Sequence, residues 1–547
     1  MSTNPTITIA REEPPTLATL PYDLLHAIIA HIPDAASLAA LSQSCTQLHR
    51  FANQKGWRIF VQSRFPSIYP DILASGVDEW PVYVRRLTAL SKNYDRRAFT
   101  AEVLDPEIFI PHPTRYYRAR GRGSVGAIRG GLQWHRWSLA PGKGRQSVGF
   151  HPVLDAQGDT LAVGAGQDLL VRKGERWWVF EDREHKAGRD DITALRLCNP
   201  KHGEAVRALV GRASGVLGVV SLAAALGTAG GQGVAHTEAT LETRGTKVRC
   251  ATLLGDTVAS ILGNDVVALH RLAEGNAEVG IASEVNMWSP KEQPWSVQFL
   301  GPGLVAVGKS SVEPIAVYAV TQTGFSKTPV RVFEAQECAD AKMSSVHPIA
   351  SLPDIRGTGD VFIAGWYTGS TLVHDLRSPA PFTAAFTDPL DANSKIYSLL
   401  PIGRERFLVG GARHSLFKIF DIRMPGGRVY SSPTSPSGTG WATYLSTNAA
   451  NASFGHRHRA SERESPVYSL AKGDAGGGTV FAGVEGALWE FDFLGEKRSD
   501  KGKSCVMYEF EERTRLWKQG PEELLGQEGE QGAWGSLDGR WRSVRSP

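Results

Sequence analysis

The chain has 547 residues, of which 41% are hydrophobic, 21% charged and 9% aromatic. This mixture excludes a fibrous or wholly disordered protein and supplies apolar side chains for several domains. Its 60 Lys and Arg against 56 Asp and Glu leave a net charge of +4, too small on this mass to make nucleic acid or a membrane the default partner.

Residues 1–15 contain no basic start followed by an apolar run, so they read as a disordered N-terminus and not as a secretion signal. From Leu17 the pattern becomes helical. Leu17, Leu20, Leu24, Leu25, Ile28, Ile29 and Ile32 recur at three- and four-residue intervals, which predicts one helical stripe, with Pro21 and Asp23 suited to its first turn. Pro33 ends it. Asp34 is the expected cap of a second helix bearing Leu38 and Leu41, and Ser44 that of a third bearing Cys45, Leu48 and Phe51. Each is too short to be stable alone, so they must pack on one another or on a partner.

The segment from Leu20 to Phe51 resembles the F-box, the module that docks a substrate receptor onto the adaptor of a cullin-RING ubiquitin ligase. The likeness is carried by Leu20, Pro21, Leu24, Leu25, Ile28, Ile32, Pro33, Leu38, Leu41, Ser42, Cys45 and Leu48, without a gap. It implies adaptor contacts from Leu20, Pro21, Leu24, Leu25, Ile28, Ile32, Leu38, Leu41, Cys45 and Leu48. Ala36 and Ala39 stand where larger residues are common. The helical domain is drawn at 16–62 and a helical connector at 63–105, in which Trp80, Val84, Leu87 and Leu90 again keep helical spacing.

Between Arg115 and Arg145 the chain is basic and Gly-rich. GRGSVG at Gly121–Gly126 has dinucleotide-fingerprint spacing but neither the strand before it nor the helix after it, and reads as a turn-rich lead-in. From about residue 147 period-two alternation takes over, and one phrase recurs: apolar residues, a Gly, a short turn, another apolar strand. The phrases are LAVGAG, ALVGRA, SILGND, VAVGKS, FIAGWY, FLVGGA and VFAGVE, with glycines 164, 211, 263, 308, 365, 410 and 483. Strands precede them, as in SVGF, ITAL, VRCATL, SVQFL, IASL, IYSLL and VYSLA. Strands also follow them, and three end in Asp375, Asp421 and Asp492. The glycine is explained either by a turn needing positive φ or by close approach of neighbouring strands.

This cadence is that of an all-β, seven-bladed β-propeller over 106–512. The last three units are similar to WD repeats. The closing outer strand is either Ser504–Glu512 or Leu132–Leu139. A Ser-, Thr-, Gly- and Pro-rich insertion at 424–465 reads as a mobile loop with Ser-Pro sites at Ser432, Ser435 and Ser465, and 513–547 reads as a disordered tail. The charge-free stretch from Ala213 to Thr237 is too glycine-broken for a membrane span.

Gly303 to Ser310 satisfies the Walker A expression, yet its four middle residues, Leu, Val, Ala and Val, form a strand in register with the sister phrases. No nucleotide site is expected there. The five cysteines, at 45, 198, 250, 338 and 505, stand singly. They indicate a reducing compartment, cytoplasm or nucleus, and no metal. No catalytic motif appears, and no cofactor is expected.

An F-box-like domain followed by a WD-like propeller resembles the substrate receptors of cullin-RING ligases, which implies a non-catalytic subunit. Its partners would be the adaptor and cullin on one side and an unnamed protein substrate on the other, with no nucleic acid and no membrane. The alternative is a propeller scaffold acting outside ubiquitination. In WD propellers the turns after the second strands share a face with the loops entering the innermost strands. Here those turns are predicted to hold Gln167, Arg212, Asn264, Lys309, Trp366, Arg413 and Glu485. Of these, Arg212, Lys309, Trp366 and Arg413 are the residue types that capture an acidic or phosphorylated segment.

Overall fold

The computed structural model describes most of residues 16–104 and 151–494, with only 440–445 between 424 and 465, together with 507–511 and 516–519. Residues 1–15, 105–150 and 520–547 fall outside, and with them Gly121–Gly126, Leu132–Leu139 and the Ser-Pro sites. Contacts divide the chain into two compact units, Met1–Lys92 and Asn93–Pro547.

In the first unit, a short 3-10 turn precedes α1 (Tyr22–His31), α2 (Ala35–Ser44) and α3 (Thr46–Phe51). A π-helical turn, Ala52–Gly56, leads into α4 (Trp57–Arg64), and α5 spans Trp80–Arg96. Asp34 caps α2 as expected, its carboxylate accepting from the Ser37 amide at 2.8 Å. Ser44 caps nothing. Its hydroxyl donates back to the Leu41 carbonyl at 2.8 Å within α2, so Cys45 takes the cap position of α3. The core gathers Leu25, Ile29, Leu38, Leu48, Phe51, Phe60 and Val61 with Val84 and Leu87 of α5. At about 1.5–3 kcal/mol for each buried side chain, this shared cluster makes helices of six to ten residues stable that would not persist alone. Arg64 closes the end of α1, its guanidinium donating to the Ile32 carbonyl at 2.8 and 2.9 Å.

The second unit is a β-propeller. Antiparallel meanders begin on the inner strands Val153–Gln157, Ile192–Cys198, Val248–Leu254, Gln293–Gly301, Ser344–Ser351, Ile396–Ile402 and Val467–Lys472. Each inner strand adjoins the next, and the last returns to the first, so the ring closes. Among the described residues the hydrogen-bonded sheets number six, one fewer than the repeated phrases. Two meanders are joined into a nine-stranded sheet where Ser310 and Ser311 pair with Ser345 and Ser344. The apolar clusters lie between successive sheets: Ala162, Leu169 and Val171 of one meander meet Ile192, Leu195 and Ala208 of the next.

Ring closure differs from both sequence-based candidates. The outer strand of the last sheet is Thr100–Leu104, from the segment assigned to a helical connector, paired antiparallel with Ala487–Asp492. Phe99 packs on Phe491 and Phe493, and Tyr94 stacks on Phe493 at 4.1 Å while donating to the Gly477 carbonyl at 2.6 Å. These contacts fasten the closing strand. Met507–Glu511, expected as the closing strand, instead extends the preceding sheet beyond Gly440–Leu445, and Leu516–Gln519 follows it there. Thus Gly440–Leu445, inside the expected mobile insertion, is a fourth strand paired with Leu416–Asp421, and the expected disordered tail contributes Leu516–Gln519. The first described inner strand is Val153–Gln157, where Gly158, at φ 59°, supplies the tight turn into Thr160–Ala165; SVGF falls outside the described residues.

The repeated glycine has a packing cause at most positions. A Cβ on Gly164 would stand 2.7 Å from Ile192 Cγ2, and one on Gly365 2.5 Å from Ile396 Cγ2. In each case the intruder is the first apolar residue of the next inner strand. At the seam the same role falls to Pro152, 2.8 Å from the Cβ that Gly483 lacks. Gly263, at φ 64°, serves a turn instead.

Candidate functional site

Immediately after Ile192, Val248, Val346, Ile396 and Val467, each of which fills a glycine notch, the inner strand carries an extra residue. Pairing runs Ile396 to Gly411 and then Ser398 to Gly410, leaving Tyr397 outside the ladder. It runs Val467 to Val484 and then Ser469 to Gly483, leaving Tyr468. The same shift leaves Thr193, Arg249, Trp295 and the pair His347–Pro348 unpaired in their strands. A bulge turns one side chain away from the pleat. Repeated in six of the seven meanders, it brings the released side chains to the same end of the inner strands.

Those side chains meet. Trp295 stacks on His347 at 4.8 Å, His347 meets Tyr397 edge-on at 5.5 Å, and Tyr397 meets Tyr468 at 5.9 Å. His151 extends the arc from Tyr468 at 4.2 Å. The guanidinium of Arg249 lies 5.6 Å from the Trp295 ring, and the Lys395 ammonium 3.8 Å from that of Tyr367, itself 45% exposed. Trp295 is anchored through its indole N–H, which donates to Ser310 Oγ at 2.7 Å; Ser310 Oγ lies 2.5 Å from Ser345 Oγ. Pairs of this kind contribute about 0.5–1.5 kcal/mol each and hold the rings in place before any ligand arrives. Burial, reinforced by Lys395, pushes the His347 imidazole down to about 4, so it is neutral near pH 7.

The predicted substrate residues are placed differently from expectation, because the second strands continue past their glycines. Arg212 ends strand Arg207–Arg212, and its buried guanidinium donates to the carbonyls of Gln167 at 2.6 Å and Asp190 at 3.1 Å. Lys309 lies within strand Leu304–Ser311 and pairs with Glu292 at 3.1 Å. Trp366 is 0% exposed, packed with Phe362 and Phe333 in the core. Only Arg413 is an exposed turn residue. Gln167 and Asn264 lie in turns, and Glu485 falls outside the described residues. The same strand Leu304–Ser311 occupies the Walker-like stretch, with no helix after Lys309. The aromatic arc escaped the sequence reading, although its signal was present: the second letter of VRCATL, IYSLL and VYSLA is the bulged residue.

In the helical unit, Leu25, Leu38 and Leu48 face the bundle's own core and not its surface. Leu20, Ile32, Leu41 and Cys45 are half-buried, and Pro21 is exposed. Leu24 is 52% and Ile28 36% exposed, one turn apart on α1, beside exposed Leu17 and Tyr22.

No protein-family model matches the chain, and no curated protein matches it. Among solved structures it is similar to the crystal structure of the WD40 beta propeller domain of Doa1, at 12% identity and a TM-score of 0.42, over 68% of this chain and 99% of that one. At that level the likeness carries no argument about the site; the propeller rests on the closed ring itself. Among the described residues no group of three or more His, Cys, Asp or Glu is placed to hold a metal, and no helix is long and apolar enough to cross a membrane. Burial lifts the Cys198 thiol to about 11 and that of Cys338 to about 12, which keeps both protonated and unreactive.

Proposed function

We propose that the chain is the substrate-recognition subunit of an SCF-type cullin-RING ubiquitin ligase, its helical unit holding the adaptor and its propeller, with seven blades, holding the protein to be modified. The observation that carries this reading is the outward pair Leu24 and Ile28 on α1, left exposed although Leu25 and Ile29 already supply that helix's share of the core. Two apolar side chains one turn apart, flanked by Pro21 and Leu17 and 52% and 36% exposed, forgo a fraction of the about 1.5–3 kcal/mol that full burial of each would contribute, and regain it on a partner. The adaptor contact then uses Pro21, Leu24 and Ile28 with the half-buried Leu20, Ile32, Leu41 and Cys45, while Leu25, Leu38 and Leu48 shape the surface from within. The seven inner strands of the ring support that blade count, with the meanders joined at Ser310 taken as two blades. The propeller performs no chemistry; it raises the local concentration of a target beside the ligase.

The test compares affinity purification of the full chain with that of a Leu24→Glu, Ile28→Glu variant. Adaptor and cullin are expected with the intact chain and lost with the variant at unchanged melting temperature. If the intact chain recovers neither, the alternative stands, a propeller scaffold outside ubiquitination.

A further inference from the structure

We propose that the propeller reads an unmodified segment of its partner, laying an aromatic or proline anchor on the Trp295–His347–Tyr397–Tyr468 arc with a carboxylate beside it, and does not select a phosphorylated one. This rests on the receptor reading and adds to it the class of segment bound.

The argument starts from where the cations have gone. A phosphoryl group brings a charge near −2 and three acceptor oxygens, and its recognition calls for several converging N–H donors. Arg212 gives its donors to the carbonyls of Gln167 and Asp190, and Lys309 is paired with Glu292. Arg249 donates to the Gly263 carbonyl at 2.6 Å and to Asn264 while lying over Trp295. His347 adds no charge. Of the five cations named here, Lys395 and Arg413 are in no ion pair among the described residues. They adjoin: the Ala412 amide donates to the Lys395 carbonyl at 2.8 Å, and the Arg413 amide to Ser394 Oγ at 3.3 Å. One of the two lies against the Tyr367 ring. That is provision for a carboxylate at the edge of the arc.

The apolar supply is larger. Beyond the arc, Val312 and Met343 are exposed on the segments flanking the Ser311–Ser344 pairing, next to the Ser310–Ser345 link that anchors Trp295. Rigid aromatic rings gain contact area at little cost in rotamer freedom, which is why they anchor interfaces. Charge complementarity then selects among apolar segments, favouring one with an acidic neighbour and opposing one with a basic neighbour.

The probes are three fluorescein-labelled 11-residue peptide pools with otherwise randomised positions. One fixes a central Trp with Glu two residues on, the second replaces that Trp by phosphoserine, and the third replaces that Glu by Lys. Fluorescence anisotropy with the full-length chain is expected to favour the Trp–Glu pool at least tenfold over either of the others. Tyr397→Ala with Tyr468→Ala should reduce that binding about tenfold, and Lys395→Glu should reverse the Glu-over-Lys preference. Lys395→Glu changes a partly exposed side chain, so it keeps the proposal testable if the double alanine variant proves unstable. Preference for the phosphoserine pool, or Trp–Glu binding unaffected by both variants, overturns the proposal. Adaptor capture measured on the same preparations reports on the receptor reading separately, since none of these residues belongs to the helical unit.

Discussion

The helical unit and the propeller treat apolar residues in opposite ways. In the helices one broad stripe serves two purposes, with Leu25 and Ile29 turned to the core and Leu24 and Ile28 turned to water. In the propeller most residues of the second and third strands are buried between neighbouring sheets, and a bulge on the inner strand releases side chains one at a time. A small bundle advertises a partner by apolar excess, whereas a large ring does so by the few side chains its backbone irregularities release.

The sharpest break of this comparison is between adjacent leucines. Leu25→Asp puts a carboxylate into a core site 1% exposed and is expected to cost about 4–5 kcal/mol, unfolding the helical unit, while Leu24→Asp leaves it folded. Thermal melts followed by helix circular dichroism separate the two, and equal melting temperatures would mean that α1 is rotated from the orientation described.

Next in size is the propeller's acid sensitivity. Burial pushes His374 down to about 4, its Nδ1–H donating to the Pro381 carbonyl at 2.8 Å among Phe333, Phe362 and Trp366. Since the folded pKa lies below the unfolded value of 6.5, the folded state binds fewer protons. The stabilisation is complete above about pH 6.5 and is lost as pH falls from there to about 4, to a total of about 3 kcal/mol. Urea titrations at pH 7.5 and 4.5 should show that fall in the parent, and a smaller one in His374→Gln. An equal fall in both would place the acid sensitivity in other groups.

Smaller still, Gly365→Ala drives a methyl against Ile396 and is expected to cost about 1–3 kcal/mol by urea denaturation, with partial rescue by Ile396→Ala. Without rescue, the notch is not the reason for the glycine. The least effect belongs to Asp34→Ala, which removes the cap of α2 and should lower the melting temperature of the helical unit by a few degrees.

Much of the fold was legible because its signals are local. Helical stripes, the Asp34 cap and the glycine phrases each operate over a few residues, and the structure places elements where those signals stand. The errors arose one residue beyond them. Arg212, Lys309 and Trp366 were read as turn residues because a glycine usually ends a strand, yet here the notch is needed one to three positions before the strand ends. Ser44 was read as a cap because nothing in its neighbours says that its hydroxyl is already engaged by Leu41.

By itself the sequence determined what most of its periodic stretches would become, since alternation and helical spacing are written in consecutive side chains. Three things were decided only in the folded chain: which half of the α1 stripe faces water, that Thr100–Leu104 closes a ring whose other edge lies at Ala487–Asp492, and that bulges bring Trp295, His347, Tyr397 and Tyr468 together. Each depends on pairing or packing between segments far apart in the chain. The free energy of such a contact belongs to the pair, and neither partner's local sequence carries it.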